Sequence, residues 1–172
     1  MNPGQDVVIR NELKPGDIGA IVYWHGVLYG QERGFDYTFD AYVAEPLSHF
    51  IKNMNARERI WLVEKDDMVK GSIAIVNISE TQAQLRWFLL SPDLRGLGLG
   101  KRLMQSAMDF CKTAGYTSVI LQTISEQTVA IKLYESFGFV NIFQKETTMW
   151  GRTVQEEKYE VHINQYPTTN FQ

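Results

Sequence analysis

The chain has 172 residues, 44% of them apolar, enough to close one hydrophobic core and too few for two comfortable ones, so a single domain over 1–172 is expected. Its 17 Lys and Arg against 20 Asp and Glu leave a formal charge of −3 with the cations scattered, which argues against the basic face that nucleic-acid binding requires. A single cysteine, Cys111, excludes an internal disulfide, and the 3 histidines stand at no metal-ligand spacing.

No apolar run approaches the roughly 18 residues of a membrane span, and the first six residues carry neither a basic nor an apolar signal segment. A cytoplasmic protein with no metal and no membrane contact is therefore expected.

In chain order, Val7–Arg10 reads as a short strand, and Lys14-Pro15-Gly16-Asp17 breaks it, with Asp17 as the predicted N-cap of a helix. Ile18, Ile21, Val22, His25, Leu28 and Tyr29 recur at helical steps until Gly30 stops the pattern. His25 on that buried stripe is either a core histidine with its ring nitrogens satisfied or a catalytic base or substrate contact. A polar connection with two aromatics, residues 31–37, precedes a second helical period through Phe39, Tyr42, Val43, Leu47, Phe50 and Ile51, which Pro46 should kink or divide. Residues 59–64 and 71–76 read as antiparallel strands around a polar turn, and Gln82–Leu90 as the next strand, ended by Pro92.

Arg95-Gly96-Leu97-Gly98-Leu99-Gly100-Lys101 follows. Glycines lacking Cβ let successive N–H groups turn toward one point, which is also the positive end of the following helix, so the stretch suits a pyrophosphate. Two familiar phosphate loops fail on spacing. A Walker A loop needs glycine where Arg95 stands and Ser or Thr where Arg102 stands, and a dinucleotide fingerprint needs glycine at Lys101 or a small residue at Leu103. The helix buries Leu103, Ala107, Phe110, Cys111 and Ala114 before Gly115, making Cys111 core and not nucleophile. Residues 118–123 form a strand, and 127–137 a helix with Ala130, Leu133, Tyr134 and Phe137 on one face. Residues 140–149 and 153–163 form two strands around Trp150-Gly151-Arg152, and a polar tail from Asn164 is expected to fray. The order is mixed α/β.

The pattern Arg-x-x-Gly-x-Gly after a strand, together with Ala130-Ile131-Lys132-Leu133-Tyr134-Glu135-Ser136-Phe137-Gly138-Phe139, resembles the GNAT superfamily of acyl-CoA N-acyltransferases over about residues 7–163. The resemblance implies a mostly antiparallel seven-stranded sheet flanked by about four helices, with acetyl-CoA as the cofactor. Carried over residue by residue, it implies that Phe88, Leu89 and Leu90 pair with the pantetheine arm by backbone, and that the Leu90 N–H or a neighbour faces the thioester oxygen. It implies that Gly96, Leu97, Gly98, Leu99, Gly100 and Lys101 hold the pyrophosphate, and that Arg95 supports the loop or a nucleotide phosphate. Gln127 stands where many members carry Asn and can hydrogen-bond a pantetheine amide. Tyr134 matches the usual general acid; its alternative is simple packing on the apolar stripe.

Some members carry a glutamate base where this chain has Gln122, which cannot take a proton. The base is therefore sought at Glu80, His25, Glu32 and Asp36, in that order. The acceptor side is expected at His25, Glu32, Asp36 and Tyr37. The stretch from His25 to Phe39 resembles acetyltransferase domains fused to MarR-type winged helices, here expected as a stand-alone relative. The implied reaction is direct attack of a primary amine, on a small molecule or a peptide, upon the thioester. An amine of pKa ~10.4 needs help losing its proton. A non-catalytic acyl-CoA-binding sensor of the same fold is the alternative, and dimers are common in the family.

Overall fold

The computed structural model of the chain describes residues 7–165. Asp66 and Asp67 take φ of 54° and 57°, the left-handed pair of a two-residue hairpin turn, and so fix the register between β2 (Arg59–Lys65) and β3 (Met68–Asn77). With β1 (Val7–Arg10), β4 (Gln82–Leu90), β5 (Ser118–Ile124), β6 (Val140–Met149) and β7 (Arg152–His162) they form one seven-stranded sheet of order β1-β2-β3-β4-β5-β7-β6. Every neighbouring pair is antiparallel except β4 with β5. The helices are α1 (Asp17–Arg33), α2 (Thr38–Asn53), α3 (Leu99–Thr113) and α4 (Thr128–Ser136).

Strand alternation sends successive side chains to opposite faces. Trp61 and Val63 pack with Leu103, Met104, Ala107, Met108 and Cys111 of α3, while Ile60 and Leu62 pack with Ile21 of α1 and Phe39, Val43, Leu47 and Phe50 of α2. Cys111 is fully buried, and burial pushes its thiol up to about 12, so it is core as expected.

Two local expectations are corrected. Asp17 is the first residue of α1 and not its cap; Gly16 caps it at φ 96°. The Asp17 carboxylate instead accepts two N–H bonds of 2.8 Å from the Arg10 guanidinium and one of 2.6 Å from the Lys14 backbone. Helix α1 runs through Gly30 to Arg33, because the left-handed residue that ends it is Gly34, at φ 71°, whose N–H bonds the Gly30 carbonyl at 3.0 Å. Pro46 sits inside α2 without dividing it. The tail beyond Gln165 and the first six residues lie outside the described residues; Ile163–Gln165 form a short 3-10 turn.

Two departures from a regular sheet shape its centre. Ser72 pairs with Leu89 and Ala74 with Arg86, so Ile73 alone opposes Trp87 and Phe88, a β-bulge with Trp87 at φ 47°. The buried Ser72 Oγ donates 2.6 Å to the Trp87 carbonyl and holds the bulge. In consequence Leu85 packs on the α3 side while Trp87, two residues on, packs on the α1–α2 side. The second departure is a split. β4 and β5 pair at Gln82–Ser118, Ala83–Val119 and Gln84–Ile120 and no further, so residues 85–90 and 121–124 diverge from each other.

Candidate active site

The split opens into a cavity of about 290 Å³. Gln84 to Phe88 of β4 form one wall, Leu121 to Ile124 of β5 the opposite one, and Gln127 and Tyr134 border it from α4. The remaining side is aromatic. Tyr29 and Phe39 have ring centroids 4.6 Å apart, Phe39 and Trp150 4.9 Å, and Tyr42 and Trp150 4.7 Å.

Beside this cleft lies the glycine loop. Gly96 and Gly98 adopt φ of 76° and 75°, and Gly98 caps α3 with no side-chain bond, so the first-turn N–H groups are not closed by a side-chain cap. A Cβ on either glycine would meet nothing within 4 Å, so the requirement for glycine there is the backbone angle. Leu99 pins the loop into the core, and Leu97 and Lys101 are exposed. Arg95 Nε donates to the Leu90 carbonyl at 3.0 Å, and its Nη1 meets Glu32 Oε1 at 2.8 Å, tying the loop to the end of β4 and to α1. Of Phe88, Leu89 and Leu90, Phe88 borders the cavity, Leu89 is buried, and Leu90 lies against the position a Gly100 Cβ would take, at 3.7 Å.

Tyr134 is 6% exposed, its ring 6.1 Å from those of Phe88 and Phe139. Burial, with a smaller push from Tyr29, drives its phenol well above the ordinary range, so it keeps its proton and has one to donate. Gln127 Oε1 accepts from Arg33 Nη2 at 3.0 Å, and its side chain hydrogen-bonds Tyr29.

His25 is 4% exposed on the cavity wall; its Nδ1 donates to the Ile21 carbonyl at 2.8 Å, which leaves Nε2 with the lone pair. Burial pushes its pKa down to about 4 against the upward pull of that bond. Thus it is a buried histidine with one ring nitrogen bonded to the backbone, and it also borders the cavity.

The other sequence candidates do not converge here. Glu80 lies exposed in the β3–β4 turn, where its carbonyl accepts from Arg57 at 2.7 Å, and it does not border the cavity. Glu32 is engaged by Arg95. Asp36 Oδ1 accepts from the Thr38 N–H at 3.0 Å and from the Thr38 hydroxyl, closing the start of α2. Tyr37 is 84% exposed, off the cavity.

Two residues that sequence reasoning passed over do border it, Arg86 and Glu156. Gln84 Nε2 reaches Gln122 Oε1 at 3.5 Å, and Gln122 Nε2 donates to Glu156 Oε1 at 3.4 Å, so a carboxylate stands one bond behind the amide. Arg86 had a visible signal, a lone charge within an apolar strand. Glu156 had none, since its place depends on β7 lying beside β5. Among the described residues no cluster of His, Cys, Asp or Glu could hold a metal ion, and no helix is long and apolar enough to cross a membrane.

Residues 24–139 match the model of the acetyltransferase (GNAT) family. The chain is 32% identical over 106 residues to N-acetyltransferase 8F1 of Rattus norvegicus, covering 59% of this chain and 48% of the relative. It is 31% identical over 99 residues to N-acetyltransferase 8B of Homo sapiens, covering 55% and 44%. The chain thus spans about half the length of the curated relatives it matches. Among solved structures, an N-acetyltransferase from Staphylococcus aureus Mu50 superimposes with a TM-score of 0.76 at 17% identity, over 92% of this chain and 99% of the other. A putative acetyltransferase from Salmonella typhimurium, solved with its cofactor acetyl-CoA, gives 0.74 at 15% identity, over 95% and 98%. At these identities the two structures establish the shared fold.

Proposed function

We propose that this chain, which belongs to the GNAT acetyltransferase family, transfers an acetyl group from acetyl-CoA to a primary amine. The observation that carries the reading is the split at Gln84 and Ile120, which leaves two lengths of strand diverging directly beside the uncapped, glycine-led start of α3. Diverging strands offer backbone donors and acceptors to an extended amide-bearing arm, and a helix start with left-handed glycines offers convergent N–H groups to a diphosphate. The arrangement fits acetyl-CoA, which would supply an activated acetyl thioester.

In this reading the backbone of Phe88, Leu89 and Leu90 receives the pantetheine arm, with the Leu90 N–H or a neighbour opposite the thioester oxygen. Residues 96–101 bind the diphosphate, Arg95 braces their loop, and Gln127 orients an amide. Tyr134, protonated and buried, donates to the departing sulfur. Glu156, the one carboxylate among the described residues bordering the cavity, draws the ammonium group in and takes its proton through water, while the bonds from Gln122 to Glu156 and from Gln84 to Gln122 hold the carboxylate in place. His25, neutral at physiological pH, shapes the acceptor side.

Purified protein incubated with acetyl-CoA and a library of primary amines, read by release of free thiol, tests this. Acetylated product with at least one amine is expected. Saturable acetyl-CoA binding without transfer to any amine would instead favour a binding module.

A further inference from the structure

Arg86 lies half-buried on the cavity wall, its guanidinium carbon 4.6 Å from the centroid of the Trp87 ring, with the Tyr42 hydroxyl as a hydrogen-bond partner. Ordinary alternation from Leu85 turns it to the α1–α2 face, and the bulge brings Trp87 onto that same face beside it. Three other arginines have anionic partners, whereas Arg33, Arg57, Arg59 and Arg102, like Arg86, show no ion pair among the described residues. Arg10 is bound to Asp17 and Glu64, Arg95 to Glu32, and Arg152 to Glu126. Among the described residues no carboxylate stands within ion-pair distance of Arg86, although Glu45 and Glu58 border a neighbouring hollow that it also lines. Burial lowers its pKa, with Tyr42 pulling the other way. A partly desolvated guanidinium that lies over an indole, lacks an anion and spends one hydrogen bond on the Tyr42 hydroxyl keeps further N–H donors to offer a carboxylate.

The rest of the cavity completes the complement. Among the described residues that border it, Arg86 is the one fixed cation and Glu156 the one carboxylate, and the wall beside them is built from Tyr29, Phe39, Tyr42 and Trp150. Opposite charges in a small cavity match a molecule that carries both an ammonium and a carboxylate, and the rings match an apolar body. A polyamine would bring only cations to Arg86.

We propose that the acceptor is an amino acid with an apolar or aromatic side chain, its carboxylate held by Arg86, its amine toward Glu156 and its side chain on the aromatic wall. The proposal rests on the acetyltransferase reading of the same cavity.

The test compares phenylalanine, leucine and methionine with their amides and their decarboxylated amines, in acetyl transfer and in calorimetric binding to the CoA-saturated protein. The amino acids are expected to exceed their carboxylate-free counterparts by about tenfold or more in kcat/KM and in affinity. Arg86→Gln collapses that ratio toward one through KM, Arg86→Lys restores part of it, and acetyl-CoA titration of both variants verifies their fold. Equal or better use of the amides and amines, or a ratio unchanged in Arg86→Gln, overturns the proposal. Preferential binding of amino acids without any acetyl transfer supports the carboxylate site and sinks the transferase reading, so the two failures are distinct.

Discussion

Gln122 Nε2 donates to Glu156 Oε1 at 3.4 Å across the β5–β7 ladder, a diagonal pair, since Gln122 itself faces Lys158 and Glu156 faces Ile124. The proton acceptor missing at position 122 is thereby available from the adjacent strand. Glu156→Gln is expected to lower kcat by roughly 10²–10⁴ with acetyl-CoA affinity held. Steady-state rates across pH beside cofactor titration check this; a variant within about threefold of the parent excludes the carboxylate from the proton path.

Tyr134→Phe keeps the ring against Phe88 and Phe139 and removes only the hydroxyl. Turnover is expected to fall by roughly 10²–10⁴ while cofactor affinity and melting temperature hardly move. Near-normal rates would leave Tyr134 as a packing residue.

The glycine loop separates two kinds of requirement. At Gly98, with φ of 75°, alanine costs about 1–2 kcal/mol of backbone strain and also weakens acetyl-CoA binding. At Gly100 a Cβ would meet Leu133, Phe88 and Leu90 at 3.5, 3.6 and 3.7 Å, ordinary contacts, so alanine there is expected to stabilise the free protein by up to about 1 kcal/mol while still crowding the phosphate approach. Denaturant melts with and without acetyl-CoA resolve the two effects.

His25 sets an acid limit on stability. Its folded pKa of about 4 lies below the unfolded value near 6.5, so between those two the unfolded chain binds the extra proton and stability falls as pH drops. The slope approaches about 1.4 kcal/mol per pH unit from this one group between those values and fades as pH rises past ~6.5. Asp17 adds a separate loss at lower pH. Burial opposes its charge, but the Arg10 and Lys14 bonds outweigh that and hold its carboxyl below the usual range, so its contribution disappears only as pH falls through that lower value. Urea melts from pH 7 to 4 are expected to show the first slope in the parent and not in His25→Gln.

Local patterns carried much of this fold from the sequence. Strand β4 was legible from its apolar run and Pro92, and the end of α3 from Gly115, because alternation, helical period and turn glycines act over a few residues. What failed depended on distant partners. Asp17 has the composition of a cap, but Arg10 across the β1–α1 connection claims its carboxylate. Glu80 looked central because it precedes β4, yet the cleft opens at the other end of that strand. Glu156 reaches Gln122 only because β7 inserts between β5 and β6. Arg86 was passed over although it is a charge among apolar neighbours, and the Trp87 ring beside it is brought there by a bulge that no residue type announces.

Where β4 and β5 part, the sheet acquires two edges in its own interior, residues 85–90 and 121–124, each paired on one side only. Natural sheets guard their outer edges with charge, proline or covering segments, since a bare row of N–H and C=O groups recruits other chains. In the proposed binding mode a diffusible small molecule takes the place of such a guard. Protein stripped of CoA is then expected to scatter light and self-associate sooner on warming than the same protein stored with CoA.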